Sequence, residues 1–363
     1  MAVSFIIEAI KDSNCKYLFA VSQPVYNNLK ETIKIKMNIE LISPSPARII
    51  VGAKSRKKIM LMEHNFKPDI VFTIFGPSYI KFSGKHLCGI ADGWVTHMSM
   101  IAFNSLPLLQ KPIFLLRSMY KKLNLLSKDY YWVETEIAKQ GLIKVLKVNA
   151  ENIKVIPNTY SSIYPKQLKM LDPKKTENEI KLLTISAPYN HKNLKIIPDV
   201  AKLLHENDKI NKYKFLVTLP DDLTNKVVKQ FWDKAEMLSV KSMIHNLGVL
   251  KNHECPYWYR NSDIVFMPTL LETSSAVYPE SMFMGKPIIT TDLDFAHASC
   301  GDASLYYEPL SADSASDAII ELCSDNYLKK KLILKGKRQL KSFPKPNEKY
   351  TQINNYIKTI INN

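Results

Sequence analysis

The stretch SDIVFMPTLLETSSAVYPESMFMGKPIITTD, residues 262–292, decides the fold. It opens on an apolar, β-branched run (263–269, DIVFMPT), crosses a polar turn, and continues into a helical candidate, Ala276–Met284. After Gly285 it enters a second strand-like run, KPIITTD (286–292). Two short apolar runs joined by a helix read as a βαβ unit, the connection that parallel strands require. Two carboxylates, Glu272 and Glu280, stand in the turn and in the helix between the strands. Ligands on open parallel sheets bind beyond the carboxyl ends of the strands.

The same alternation runs outward in both directions. Strand-like runs lie at 16–22, 38–43, 69–76, 86–92, 130–135 and 152–158, and again at 181–186, 214–220, 246–250, 263–269, 286–292 and 304–309. Helical candidates between them include Ala2–Lys11, Leu194–Glu206, Asp222–Glu236 and Ala312–Cys323. The pattern restarts near Lys181 after a lysine-rich polar stretch that contains Pro173. The expected organisation is α/β, with two Rossmann-like doubly wound domains facing a cleft. The first spans 1–165, a linker 166–180, the second 181–345, and a terminal helix 346–363 returns to the first domain.

Length and composition agree. A chain of 363 residues has room for two cores, and 46% apolar with 23% charged residues is ordinary globular usage. The five cysteines are scattered and form no C-x-x-C pair, which suggests neither a disulfide framework nor a zinc site, so a reducing cytoplasm fits. Residues 2–12 lack the basic region and cleavage site of a signal peptide. No run approaches the roughly 18–20 apolar residues of a membrane span. With 50 Lys+Arg against 34 Asp+Glu, the net charge of +16 points to a polyanionic partner.

Several ordered segments carry a family resemblance. Glu272 and Glu280, GKPII at 285–289 and GDASLYYEP at 301–309 resemble the donor-binding signature of retaining glycosyltransferases of family 4. VIPN at 155–158, HKN at 191–193, LGV at 247–249 and SDIVFMP at 262–268 keep that family's order. The resemblance covers roughly Tyr130 to Asp325 and implies the GT-B fold and a hexosyl transfer that needs no metal. It implies that Glu272 contacts the donor sugar, Glu280 the ribose hydroxyls, and the backbone of Thr273, Ser274, Ser275, Ala276 and Val277 the sugar and diphosphate, with Val249 also at the donor. Lys192 would stabilise the departing diphosphate. The family's usual arginine is replaced by Ser186-Ala-Pro, for which His191 is the candidate substitute. A Gly-rich loop after a first strand is also expected and missing, because the sequence opens on the helix that would follow it; a missing upstream segment is the expectation.

In the first domain, Asp92 and His97, with His86 third, are candidates for orienting the acceptor or the sugar's primary hydroxyl; a turn closed beside Gly93 is the plainer alternative. Asp292 and Asp294 form a D-x-D, which suits a divalent ion on a diphosphate, but they follow a strand where the family carries Ser/Thr-Asp. Residues 113–128 read as an amphipathic helix with Arg117, Lys121, Asn124 and Lys128 on one stripe and Leu115, Leu116, Met119, Leu123 and Leu126 opposite. Arg117, Lys121, Lys122 and Lys128 are the candidate membrane or acceptor surface, against the alternative of a core-packed helix with a solvated cationic face.

The expected function is transfer of a sugar from a nucleotide-diphosphate sugar to a lipid-linked saccharide in bacterial surface-polysaccharide assembly, at the inner face of the membrane. Alternatives are a catalytically impaired relative that binds nucleotide sugar, and an epimerase or phosphorylase on the same fold. Nucleic acid is not an expected partner.

Overall fold

The computed structural model describes residues 2–29, 33–34, 38–126, 129–167, 179–207 and 212–362. These divide into two compact units. Unit 1 comprises Met1–His97, Pro112–Pro157 and Lys345–Asn363; unit 2 comprises Met98–Lys111 and Asn158–Pro344. Most of the expected linker, 168–178, lies outside the described residues, as does Lys128.

Unit 2 is built on six parallel strands: β7 (Ile180–Thr184), β8 (Tyr213–Val217), β9 (Ile244–Asn246), β10 (Ile264–Met267), β11 (Ile288–Thr291) and β12 (Ser304–Tyr307), in the order β12-β11-β10-β7-β8-β9. Successive strand residues point to opposite faces. Leu182, Phe215, Ile264, Phe266 and Ile289 enter one core, packed against the helices Ile197–Asn207, Lys226–Met237 and Ala312–Ser324. Their neighbours Leu183, Leu216, Val265, Met267 and Ile288 enter a second core on the other face. Burial on both faces explains why these strands read as continuous apolar runs rather than alternating ones.

Unit 1 places its first six strands in two parallel sheets. β1 (Leu18–Val21) pairs with β2 (Asn38–Leu41), while β3 (Val71–Thr73), β4 (His86–Ile90), β5 (Tyr130–Val133) and β6 (Ile153–Val155) follow one another in order. The helix Glu136–Leu146 covers one face of the second sheet through Ala138, Leu142 and Leu146. The other face meets the helix Ala2–Ala9 and the terminal helix Pro346–Asn362, through Phe5, Ala9, Ile353 and Ile360 around Leu87 and Trp132. Lys85 Nζ donates to the last carbonyls of that terminal helix, Ile360 O at 2.9 Å and Ile361 O at 3.2 Å.

The amphipathic segment of unit 1 forms the helix Lys111–Leu125, and its facing corrects the sequence expectation. Lys121, with 38% of its side chain exposed, places its ammonium 2.6 Å from Asp92 Oδ2, and Ser118 and Leu125 are buried. The leucine and methionine stripe is exposed, and so is Arg117 of the cationic one. A salt bridge and a small serine allow the polar edge to pack, so helical period alone does not decide which face turns in.

The terminal helix is held by a buried charge pair. Lys349 Nζ donates to Glu134 Oε1 at 2.7 Å, with 4% and 3% of the two side chains exposed, and the ammonium lies 5.2 Å from the Trp132 ring centre. Burial lowers the Lys349 pKa and Glu134 opposes that shift. Removing one partner of such a pair leaves an uncompensated charge at a cost of about 3–5 kcal/mol, whereas replacing both is often neutral. Glu134→Ala is therefore expected to destabilise unit 1 by about that amount in urea denaturation, and Glu134→Leu with Lys349→Met to recover most of it.

Candidate active site

The strand order of unit 2 reverses between β7 and β10: chain progression runs outward through β8 and β9 on one side and through β11 and β12 on the other. Such a switch point leaves a crevice at the strands' carboxyl ends. Lys192 follows β7 and Glu272 follows β10, so the two sides of the crevice each deliver one of these residues. They meet in an ion pair between Lys192 Nζ and Glu272 Oε1, with 17% and 13% of their side chains exposed.

Backbone bonds fix that meeting. Leu270 N donates to His191 O at 2.7 Å, tying the loop after β10 to the short 3₁₀ turn Asn190–Lys192. Thr184 Oγ1, at the end of β7, donates to Phe266 O at 2.8 Å. The turn continues into a second one, Leu194–Ile196, through Asn193, whose left-handed backbone (φ 50°) suits asparagine. The helix Met100–Asn104 packs on the same turn, so residues 98–111, expected in the first domain, sit against the Lys192 segment of unit 2.

His191 is held neutral. Burial, reinforced by the Lys192 charge, pushes its pKa down to about 3, and its ring stacks on Tyr189 with centroids 5.7 Å apart. It therefore offers a hydrogen-bonding ring rather than the charge of the arginine that the family resemblance leads one to expect.

Glu280 lies in the first turn of the helix Val277–Phe283. Tyr259 OH donates to its Oε2 at 3.1 Å. Burial raises the carboxyl pKa to about 7, although the Tyr164 and Tyr259 hydroxyls pull it down. Of the segment between the glutamates, Thr273 and Val277 are buried and Ser274 to Ala276 half-buried. Asn158 Nδ2 donates to Ser274 O at 3.0 Å and braces this loop. At the end of β9, Asn246 binds the backbone of Leu219 and Gly248, and Gly248 adopts φ 69°; Val249 beyond it is 73% exposed.

The structure thus brings together Lys192, His191 and Glu272. Tyr259, Tyr164 and the helix Met100–Asn104 escaped the sequence reading, and Asn158 entered it only within the segment 155–158 with no role assigned, because only folding brings them to the Glu272–Glu280 segment and the lysine turn. Asp292 Oδ1 lies 2.5 Å from His297 Nε2, and Asp294 begins the helix Asp294–Cys300. Among the described residues no group of three or more His, Cys, Asp or Glu side chains is placed to hold a metal.

In unit 1, Asp92 caps the helix Gly93–Thr96 by accepting from Trp94 N at 3.1 Å, besides its bond to Lys121. His97 Nδ1 lies 2.7 Å from Thr96 Oγ1. A Cβ at Gly141 would stand 1.9 Å from Thr96 O, so that glycine lets the helix Glu136–Leu146 rest directly on this turn. His86 is a core residue in β4, Nε2 2.8 Å from Thr73 Oγ1.

Residues 166–339 match the family Glycosyl transferases group 1. The group 1 match takes in the switch point, the Lys192 turn and the glutamate loop. No curated protein matches the chain. Among solved structures the chain is similar to a glycosyltransferase from Rickettsia africae, with TM-score 0.73 at 15% identity over 99% of this chain and 94% of that one. It is similar to Anabaena Alr3699/HepE in complex with UDP and glucose, with TM-score 0.69 at 13% identity over 98% and 94%. It also resembles WaaG, a glycosyltransferase involved in lipopolysaccharide biosynthesis, with TM-score 0.68 at 13% identity over 97% and 93%. The shared feature at such identities is the fold, GT-B, with parallel α/β sheets in two domains.

The Glu280 environment makes stability depend on pH. Its pKa rises from 4.5 to about 7 on folding, so between those values the native state keeps a proton that the unfolded chain has lost. Stability therefore falls as pH rises through that window, by up to about 3 kcal/mol. Glu280→Gln is expected to flatten this part of the stability profile, measured by denaturant midpoints from pH 4 to 8.

Proposed function

We propose that the protein is a retaining glycosyltransferase that moves a sugar from a nucleotide-diphosphate donor to a hydroxyl acceptor without a resident metal. The observation that carries this reading is the Lys192–Glu272 pair at the switch point of unit 2, with Glu280 in the first turn of the helix that follows the Glu272 loop. The group 1 match over residues 166–339 and the UDP and glucose in the Anabaena structure support a glycosyl donor there.

In this reading Lys192 supplies positive charge to the diphosphate as the bond from the sugar to the phosphate oxygen breaks, the step at which fixed charge accelerates most. Glu272 holds the ammonium in position in the free protein and accepts hydrogen bonds from donor-sugar hydroxyls when they arrive. Glu280, with a pKa near neutrality, accepts from the ribose hydroxyls, and the Thr273–Val277 backbone, with Val249, lines the donor. Asp92 and His97 orient the acceptor from unit 1. The acceptor is a lipid-linked saccharide of a bacterial surface polysaccharide, a choice favoured by the likeness to WaaG. Such an acceptor places the protein at the inner face of the membrane.

Lys192→Ala is expected to lower kcat for nucleotide-sugar turnover about 100- to 1000-fold, with a smaller change in donor Kd. A labelled donor should give a product that retains anomeric configuration. Wild-type turnover in Lys192→Ala, an inverted product, or an epimerised sugar nucleotide with no glycoside would each overturn the assignment.

A further inference from the structure

Glu280 is anchored from the core side. Tyr259 lies in the last turn of the helix Cys255–Arg260 and is 0% exposed, while Glu280 is half-buried. The tyrosine hydroxyl donates to Glu280 Oε2 at 3.1 Å. Two ties hold the helix end that carries the ring: Ser262 Oγ donates to Tyr259 O at 2.9 Å, and Lys286 Nζ donates to Arg260 O at 3.0 Å and to Ser262 O at 2.7 Å. Carbonyls at a helix end have run out of intrahelical donors, so these side chains fix a segment that would otherwise fray. Ser262 and Lys286 stand just ahead of β10 and β11, the strands that bracket the glutamate segment in the chain. Tyr164, also 0% exposed, flanks the Tyr259 ring with centroids 5.9 Å apart.

A buried tyrosine hydroxyl seeks a partner for its own sake. Here the partner is a half-exposed carboxylate, whose two oxygens offer about four acceptor positions, and Tyr259 takes one of them from within. A glutamate side chain left to solvent samples several rotamers and must be ordered when a ligand arrives, whereas one already bonded on its inner side meets the ligand preorganised. We propose that Tyr259 is a positioning residue that holds the Glu280 carboxylate with its outer acceptor positions aimed at the paired hydroxyls of a ribose, so that the site selects ribonucleotides over nucleotides lacking those hydroxyls. The inference rests on the donor reading of Glu280 given above and adds the residue that makes it selective. A site built to bond hydroxyls rejects an analogue without them, because its buried acceptors are then left unmatched.

The test is calorimetric titration of the 363-residue chain with UDP, GDP and ADP, and then with the 2′,3′-dideoxy form of the tightest binder. Wild type is expected to bind the dideoxy form at least about tenfold more weakly. Tyr259→Phe keeps the ring and should weaken the ribonucleotide about tenfold while leaving the dideoxy form almost unchanged, since only the ribonucleotide uses the held carboxylate. In a Glu280→Ala background Tyr259→Phe should change neither affinity, as expected of a residue that acts through another. With a nucleotide-sugar donor, Tyr259→Phe should raise KM and spare kcat. Equal wild-type affinity for the two nucleotide forms, wild-type affinity in Tyr259→Phe, or an equal loss on both forms would overturn the role of Tyr259 and leave the transfer reading standing. Failure of wild type to bind any of the three nucleotides would overturn the donor reading and this role together. Ribose-selective binding without sugar transfer would refute the transfer reading alone.

Discussion

The pairing of β7 with β10 is the constraint on which the rest of unit 2 depends. Leu182 lies opposite Ile264 and Leu183 opposite Val265, although some eighty residues separate the strands in sequence. That pairing creates the reversal of strand order and hence the crevice. It also carries the Lys192 turn and the Glu272 loop to the same end of the sheet, where Thr184 and Leu270 lock them together. A one-residue slip would exchange the two cores, because Leu182 and Leu183 belong to opposite faces, so burial on both sides fixes the register and the register fixes the site.

Charge is handled differently at the two glutamates. Glu272 is mostly buried but faces a lysine, so its charge is compensated within the protein. Glu280 is met by the hydroxyls of Tyr259 and Tyr164, and burial raises its pKa to about 7. A carboxylate that is costly to ionise gains most from hydrogen-bond donors, and the two tyrosine hydroxyls fill that role here. Neutral His191 follows the same logic in reverse: an imidazolium beside Lys192 would add like charge in a desolvated place, and the proton is given up instead.

Much of this was legible in the sequence, and the remainder shows what sequence patterns omit. The regular alternation of strand-like runs and helical stretches indicated parallel strands, and the loops after strand-like runs indicated where Lys192 and Glu272 stand. Tyr259, Tyr164 and Asn158 were not legible, since their link to the glutamate loop depends on packing and no spacing encodes it. Residues 98–111 read as part of the first domain by chain order, yet their contacts lie with the Lys192 turn.

The helix Lys111–Leu125 shows the same limit more sharply. Its periodicity revealed two faces, but the packing depends on one aspartate outside the helix and one small residue within it. Asp92 is committed to capping Gly93–Thr96 and has a second oxygen to satisfy, which Lys121 reaches at 2.6 Å. Ser118 is buried on the same edge, where a larger side chain would need space that the serine does not take. Lys121 and Lys349 thus both enter unit 1 to meet carboxylates that stand just beyond strand ends, Asp92 after β4 and Glu134 after β5. The net charge of +16 therefore includes lysines committed to carboxylates: Lys349 is buried against Glu134, and Lys121, though 38% exposed, is tied to Asp92.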